Sequence, residues 1–449
     1  MNIKLAAKQT KHGPISMAGF PFFQLDRYLK ILVEEHQKYV ALCEEYRRPV
    51  DDLSSKLEFE RRVVRIITPG TLIDERFMDP YENNFLLAVY TPDAPSISEG
   101  LEAEDVGLAW LDLSTGDFYT QKTDISSLPG DIARVSPREI LLNEDLRSDR
   151  SHALFTSIEE EKHFITYEPF SDLTLTTIPA SWDTLLESKI PPRVASAFTL
   201  PEIRAAEVLL RSVKGKLMGT NMRIQPPIRK TKQDIMMIDA NTLRALEIKR
   251  SMREGNIRGS LLSAIRRTVT KSGARLFADM ICITYWSVEL TLGSPITSIR
   301  DINRRLDLVD TFLGDSHLLA DIIYHLRQTH DSQRLVQRFS LGRGDSDDLL
   351  SLSRTIRETE KILARLREQH HASLDHIVAR IVIPEKLCER IEGAIDEEAL
   401  VKRQRMEELE TAELGKIVRR VEGQEVEEDK KTKKKEDLRK DDVWIMKKT

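Results

Sequence analysis

Two carboxylates stand where metal-dependent phosphodiester chemistry could use them. Asp112 lies in the string LAWLDLSTG, Leu108 to Gly116, and Glu139 opens the apolar run EILL. In a hairpin-first, RNase H-like fold, an aspartate on the first strand followed by a small-residue turn can hold two metal ions with carboxylates from later strands. Asp112 matches that position and Glu139 offers a second ligand, but no convincing third is present. A lone strand aspartate beside Ser and Gly more often closes an Asx turn. The expectation is therefore a structural Asp112, with no catalytic and no metal-binding residue.

Other chemistry is sparser. Nucleotide hydrolysis by a P-loop needs a glycine loop ending in Gly-Lys-Ser or Gly-Lys-Thr, whose amides hold phosphates and whose hydroxyl holds magnesium. Neither KGKLMGT at Lys214 nor EGNIRGS at Glu254 has that order. His370, His371 and His376 share one helical stretch with only Asp375 beside them, outside any zincin spacing, and are read as exposed histidines. Arg343-Gly344-Asp345 is read as a turn between helices. Cys43, Cys282 and Cys388 lie more than a hundred residues apart, which suits a reducing compartment and buried apolar filler, not a disulfide framework or a zinc site.

The elements that must position these residues come from 449 residues, enough for about three domains. With 40% hydrophobic and 31% charged residues the chain is globular in type, and 6% aromatic residues argue against a surface built mainly for base stacking. The net charge of −5 excludes a uniformly basic nucleic-acid coat protein. Basic charge is local: between Ile203 and Arg275 seventeen Lys or Arg stand against five Asp or Glu, either a solvated helical face or a nucleic-acid patch. The longest apolar stretch, Met280 to Gly293, carries Glu289 and is too short to span a bilayer. Lys4, Lys8 and Lys11 precede the first acid, Asp26, a pattern shared with mitochondrial import segments, although arginine is missing there.

Leu25, Leu29, Leu32 and Val33 have helical spacing, and VVRIITPGT, Val63 to Thr71, reads as a strand stopping at Pro-Gly. TPDAPSISEG, Thr91 to Gly100, reads as a linker. VGLAWLDL from Val106, the turn STG and the returning DFYTQ form a hairpin, followed by a short helix and the EILL strand. From Pro201 helical period dominates, and Leu349, Leu352, Ile356, Leu363 and Leu366 mark a long helix packed along one seam on a partner helix. Glu422 to Lys440 is almost wholly charged and reads as a solvated insertion.

Three strings in the first ninety residues, PISMAGFPFFQLDRYLKILVEEHQKYVALCEEY, FERRVVRIITPGTLIDE and ENNFLLAVY, resemble the first domain of MutS-family mismatch-repair proteins, most nearly the fungal mitochondrial homologues. VGLAWLDLSTGDF resembles the family's connector, which is RNase H-like without nuclease activity. MMIDANTLRALEIKRS, SLLSAIRRTVTKSGARLF and DINRRLDLVDTFL resemble its helical core. The resemblance implies a multidomain α+β and mostly-α chain: a small α+β mismatch-recognition-like domain over 1–92, an RNase H-like α/β connector over 103–200, and a helical core with lever-type helices over 201–420. A charged insertion and the start of the lever and clamp would fill 421–449.

It also implies double-stranded DNA as partner, a second MutS-type subunit, and ATP with magnesium as the cofactors of intact members. The family's Phe-x-Glu wedge, its clamp and its P-loop are not found in these residues. A fragment binding DNA weakly and without mismatch discrimination is expected, with no cofactor of its own. Lys8 and Arg61 match positions that touch the DNA backbone in the family, with Arg62 and Arg65 as further candidates. Ile283 to Gly293 looks inserted relative to the family. Other expectations are protein partners bound through the connector, no membrane association, and a mitochondrial location, with nucleus or cytoplasm as the alternative. A non-catalytic helical scaffold and an RNase H-like nuclease are the competing functions.

Overall fold

The structure is a computed structural model of the chain. It describes residues 5–10, 13–20, 24–47, 59–73, 78–92, 105–148, 152–158, 163–170, 177–218, 223–231, 239–253, 255, 257–282, 299–369, 371–400, 402 and 406. The insertion expected at 283–293 and the charged run at 422–440 lie outside the described residues, as does His370. The chain divides into two compact units, Met1–Leu306 with Val336–Arg343 and Asp307–Leu335 with Gly344–Thr449.

The first unit is organised by sheets. Strands β1 (Leu5–Thr10) and β2 (Gly13–Ala18) form an antiparallel ribbon, and β3 (Val40–Arg47) pairs antiparallel with β4 (Phe59–Ile67) in a second. The β3–β4 register slips between Leu42 and Cys43, where Leu42 faces Arg65 and Cys43 faces Val63, so Val64 is the extra residue of a bulge. The helix expected around Leu25 to Val33 forms, running as Leu25–Lys30 and then as a wider turn, Ile31–Glu35. Leu29 and Val33, four residues apart, bury one face against Ile67, Leu72 and Met78.

A six-stranded sheet follows: β5 (Phe85–Tyr90), β6 (Asp105–Asp112), β7 (Asp117–Asp124), β8 (Glu139–Asn143), β9 (Phe164–Glu168) and β10 (Ile228–Lys230). Its spatial order is β10-β7-β6-β5-β8-β9, with β5, β6 and β7 an antiparallel meander and β8 and β9 parallel to β5. Alternate residues serve two cores, as the two-residue strand period requires. Leu86, Ala88, Leu111 and Leu141 meet the helix Leu200–Leu217. Leu87, Val89, Trp110 and Ile140 meet the helix Leu128–Val135 and Phe155. At Gly107 a Cβ would stand 2.0 Å from the Pro201 carbonyl oxygen, so glycine there admits the start of the 200–217 helix onto β6.

Two boundaries read from sequence are corrected. FLLAVY, placed within 1–92, is β5 and lies hydrogen-bonded between β6 and β8. VGLAWLDL, read as the first strand of the hairpin unit, is therefore the second, and the 200–217 helix, assigned to the helical core, packs on this same sheet.

The second unit is helical. The helix Ser346–Arg367 opens on a reciprocal cap: Asp345 Oδ1 accepts from the Asp348 amide at 2.8 Å, and Asp348 Oδ2 accepts from the Asp345 amide at 3.1 Å. Arg343-Gly344-Asp345 thus leads into a helix. The apolar stripe exists, but three groups share it where one partner helix was expected. Leu349 packs with Ile391 and Ile395, Leu352 and Ile356 pack with Leu335 and Cys388, and Leu366 packs with Leu318 and Leu374. Cys388 is buried as expected, whereas Cys43 is exposed. Among the described residues no helix is long and apolar enough to cross a membrane.

Candidate nucleic-acid interface

The β3–β4 ribbon carries the arginines singled out from sequence. Arg61 stands opposite Glu45 in the register, and its Nε donates to Glu45 Oε1 at 2.7 Å while its terminal nitrogen lies 2.6 Å from the same oxygen. Arg62 takes the other face of the strand, as alternation demands. It donates to Glu60 Oε2 at 2.8 Å, and its guanidinium carbon sits 5.9 Å from the Tyr46 ring centre. The Arg61 and Arg62 side chains are 76% and 63% exposed, so both pairs are solvated and weak. Such carboxylates can be exchanged for a phosphate at little cost. Lys8 lies on β1 opposite Ile15, away from this ribbon in sequence and in pairing.

Arg65 is a different case. Only 3% exposed, it donates to the Thr71 carbonyl at 2.7 Å and so ties β4 to the turn Pro69–Thr71. The bulge at Val64 precedes it, and this is the reason a simple alternation count from Arg61 fails. Arg65 is a fold-holding residue and is withdrawn from the phosphate-contact candidates.

The same turn builds a buried junction that sequence reading did not anticipate. Glu139, fully buried at the start of β8, accepts hydrogen bonds at both oxygens. Oε2 accepts from Thr68 Oγ1 and, at 2.9 Å, from the Gly70 amide. Oε1 accepts from Thr166 Oγ1 at 2.7 Å and from Lys216 Nζ at 3.1 Å. A Cβ on Gly70 would lie 2.9 Å from the Glu139 Cβ, so the Pro-Gly turn can approach only without a side chain. Tyr39 Oη shares a hydrogen bond with Thr166 Oγ1 at 2.6 Å, and burial, reinforced by the charges of Glu139 and Glu168, pushes the pKa of its phenol above the ordinary value despite that bond. The only sequence signal was a charged residue heading an apolar strand, together with a Pro-Gly turn read merely as a stop.

Asp112 is committed in the same way. Its Oδ1 accepts from the Ser114 amide at 2.8 Å and Ser114 Oγ at 2.6 Å, its Oδ2 from the Asn84 amide at 2.8 Å, and its carbonyl from the Gly116 amide at 2.8 Å. This is an Asx turn closing β6 to β7. Asp112 is on the second strand of the sheet, and its lone pairs and those of Glu139 face protein donors. Among the described residues no group of three or more His, Cys, Asp or Glu could hold a metal ion. His371 caps the helix Ala372–Val378 and its Nδ1 stands 3.3 Å from Thr311 Oγ1.

Family models agree with this layout in order along the chain. MutS domain I matches residues 1–76, MutS domain II residues 84–175 and MutS domain III residues 241–441. The second match starts just before β5, in line with its place in the sheet. The protein named DNA mismatch repair protein MutS in Rhodopirellula baltica is 30% identical over 407 residues, covering 86% of this chain and 42% of the relative. Its namesake in Rhodopseudomonas palustris is 32% identical over 410 residues, covering 88% and 41%, and that of Bartonella henselae 32% over 398 residues, covering 87% and 41%. The chain spans about two fifths of the length of these curated relatives.

Proposed function

Because the chain belongs to the MutS family, carrying its domains I, II and III, we propose that it holds double-stranded DNA by the phosphate backbone as part of a mismatch-repair protein. The match to three domains in their order along one chain supports this reading most. On domain I the exposed Arg61 and Arg62 supply the phosphate contacts, with Lys8 as a third candidate. Phosphate contacts fix register and orientation and carry no base information. The sequence contains no Phe-x-Glu string to wedge at a mismatch and no Gly-Lys-Ser or Gly-Lys-Thr loop. These 449 residues therefore bind matched and mismatched duplexes alike, weakly, and do not hydrolyse ATP.

The order β7-β6-β5-β8-β9, three antiparallel strands followed by two parallel ones, supports reading domain II as an RNase H-like connector whose carboxylates serve the fold. Partnership with a second MutS-type subunit belongs to the same proposal, as does mitochondrial DNA as the substrate, which rests on the resemblance around FQLDRYLKILV. The test is fluorescence anisotropy of the full chain with matched and single-mismatch duplexes at one salt concentration. Equal, weak affinities are expected, and a clear preference for the mismatch would place base recognition in residues outside this account.

A further inference from the structure

Part of the basic excess between Ile203 and Arg275 converges on a cavity of about 650 Å³ within the first unit. Arg138 and His163, flanking strands β8 and β9, face Arg244, Lys249 and Arg250 across it. Its far wall is firmly built. Asp239 caps the helix Ala240–Ala245, Leu243 and Ile248 are buried, and the amides of Leu261 and Leu262 bond the carbonyls of Glu247 and Ile248 at 3.0 and 2.9 Å. Lys249 Nζ donates to the Arg134 carbonyl at 2.5 Å, a neutral acceptor that fixes its position without cancelling its charge.

No carboxylate occurs among the described lining residues. Glu82, which is not a lining residue, pairs with Arg138 and lies 3.9 Å from Arg250, and Glu34 is within electrostatic reach of Arg138. Four permanent cations around one concavity repel one another and focus a positive potential into it. We propose that this cavity binds a small anion carrying two or more adjacent phosphoryl groups. Guanidinium forks match phosphoryl oxygens two at a time, and the volume lies within the range of small-molecule sites. Phe, Tyr and Trp are missing from the described lining, so a nucleobase finds no stacking platform beyond the His163 ring and the phosphate chain is what is read. The described lining offers no carboxylate to hold magnesium, and magnesium on the phosphates would cancel the negative charge that Arg138, Arg244, Lys249 and Arg250 attract, so the metal-free anion is the preferred form. This inverts the magnesium dependence of a P-loop.

Isothermal titration of the full chain with sodium tripolyphosphate, ATP and AMP in magnesium-free buffer tests the assignment. Tripolyphosphate and ATP should bind within about threefold of one another, AMP about tenfold more weakly, and excess magnesium should weaken the first two. Arg250→Gln, at an exposed position, should lower tripolyphosphate affinity about tenfold, and Arg244→Gln, on the same wall, should do the same. Absence of saturable tripolyphosphate binding, affinity untouched in both variants, or ATP binding only with magnesium would each overturn it. So would duplex DNA binding that depends on Arg250 while tripolyphosphate fails to bind, which would make the cavity part of the nucleic-acid surface.

Discussion

The Glu139–Lys216 junction and the Arg61–Glu45 pair use the same kinds of charge for opposite ends. The junction side chains are 0% and 9% exposed and every acceptor position on Glu139 is occupied, whereas the ribbon pair is 50% and 76% exposed. A buried pair is expensive to break because removing one partner strands the other without solvent. An exposed pair surrenders little when it opens, so its arginine can move to a phosphate. Burial, not residue type, separates the charge that holds the domains' shape from the charge available to DNA. Arg65 makes the point within one strand: four residues from Arg61 on β4, it belongs to the first class.

Breaking the buried side of this comparison should give the largest effect. Glu139→Ala leaves Lys216 uncompensated and Thr68, Thr166 and the Gly70 amide without their acceptor, and should destabilise the chain by about 3–5 kcal/mol in urea unfolding. Lys216→Met in the same background should recover part of the loss, since a double-mutant cycle then removes the stranded charge. Additive losses would deny the coupling.

Asp112→Asn should cost less, about 1–3 kcal/mol, because one amide group replaces a carboxylate that accepts at both oxygens. Any trace nuclease activity should be the same in parent and variant. Manganese-dependent cleavage by the parent that disappears in Asp112→Asn would restore the two-metal reading.

How much of this was legible beforehand follows from what each residue depends on. The helix at Leu25 to Val33, the β6–β7 hairpin and the turn role of Asp112 rest on local period and turn chemistry, and all were readable. Membership of β5 in the larger sheet was not, because a fully apolar strand carries no mark of which neighbours it pairs with. The Glu139 junction draws Thr68, Thr166 and Lys216 from sites 71, 27 and 77 residues away, a separation no spacing rule spans. Arg65 was misplaced for a smaller reason, a single bulge residue that sequence does not announce. The basic excess was visible as a count, but not its division between a solvated surface and a cavity wall.

A milder effect sharpens the comparison from the second unit, where Arg357 and Glu392 form a partly exposed pair. Arg357 Nη2 lies 2.8 Å from Glu392 Oε2, and the guanidinium, helped by hydrogen bonds from Cys388 and Ser353, draws Glu392 from the ordinary 4.5 down to about 2. A carboxylate more acidic in the folded than in the unfolded chain stabilises above its unfolded value, and the contribution is lost as pH falls from 4.5 towards 2. Glu392→Gln should therefore flatten the stability profile in that window and leave its shape at neutral pH unchanged. An acid limb identical to the parent's would contradict this. The smallest stability effect belongs to Arg61→Ala, which should shift the unfolding free energy by less than about 1 kcal/mol.

That same substitution gives the most direct test of the central claim, when its readout is DNA. The affinity of the full chain for a matched duplex, followed by fluorescence anisotropy across a salt series, should fall with a log–log slope no steeper than about −2. Arg61→Ala should make the slope shallower by about one, as one lost phosphate contact requires, and Arg62→Ala should act in the same direction. Slopes unchanged in both variants would contradict the account, showing that the exposed ribbon arginines remain with Glu45 and Glu60 and that the DNA is held elsewhere.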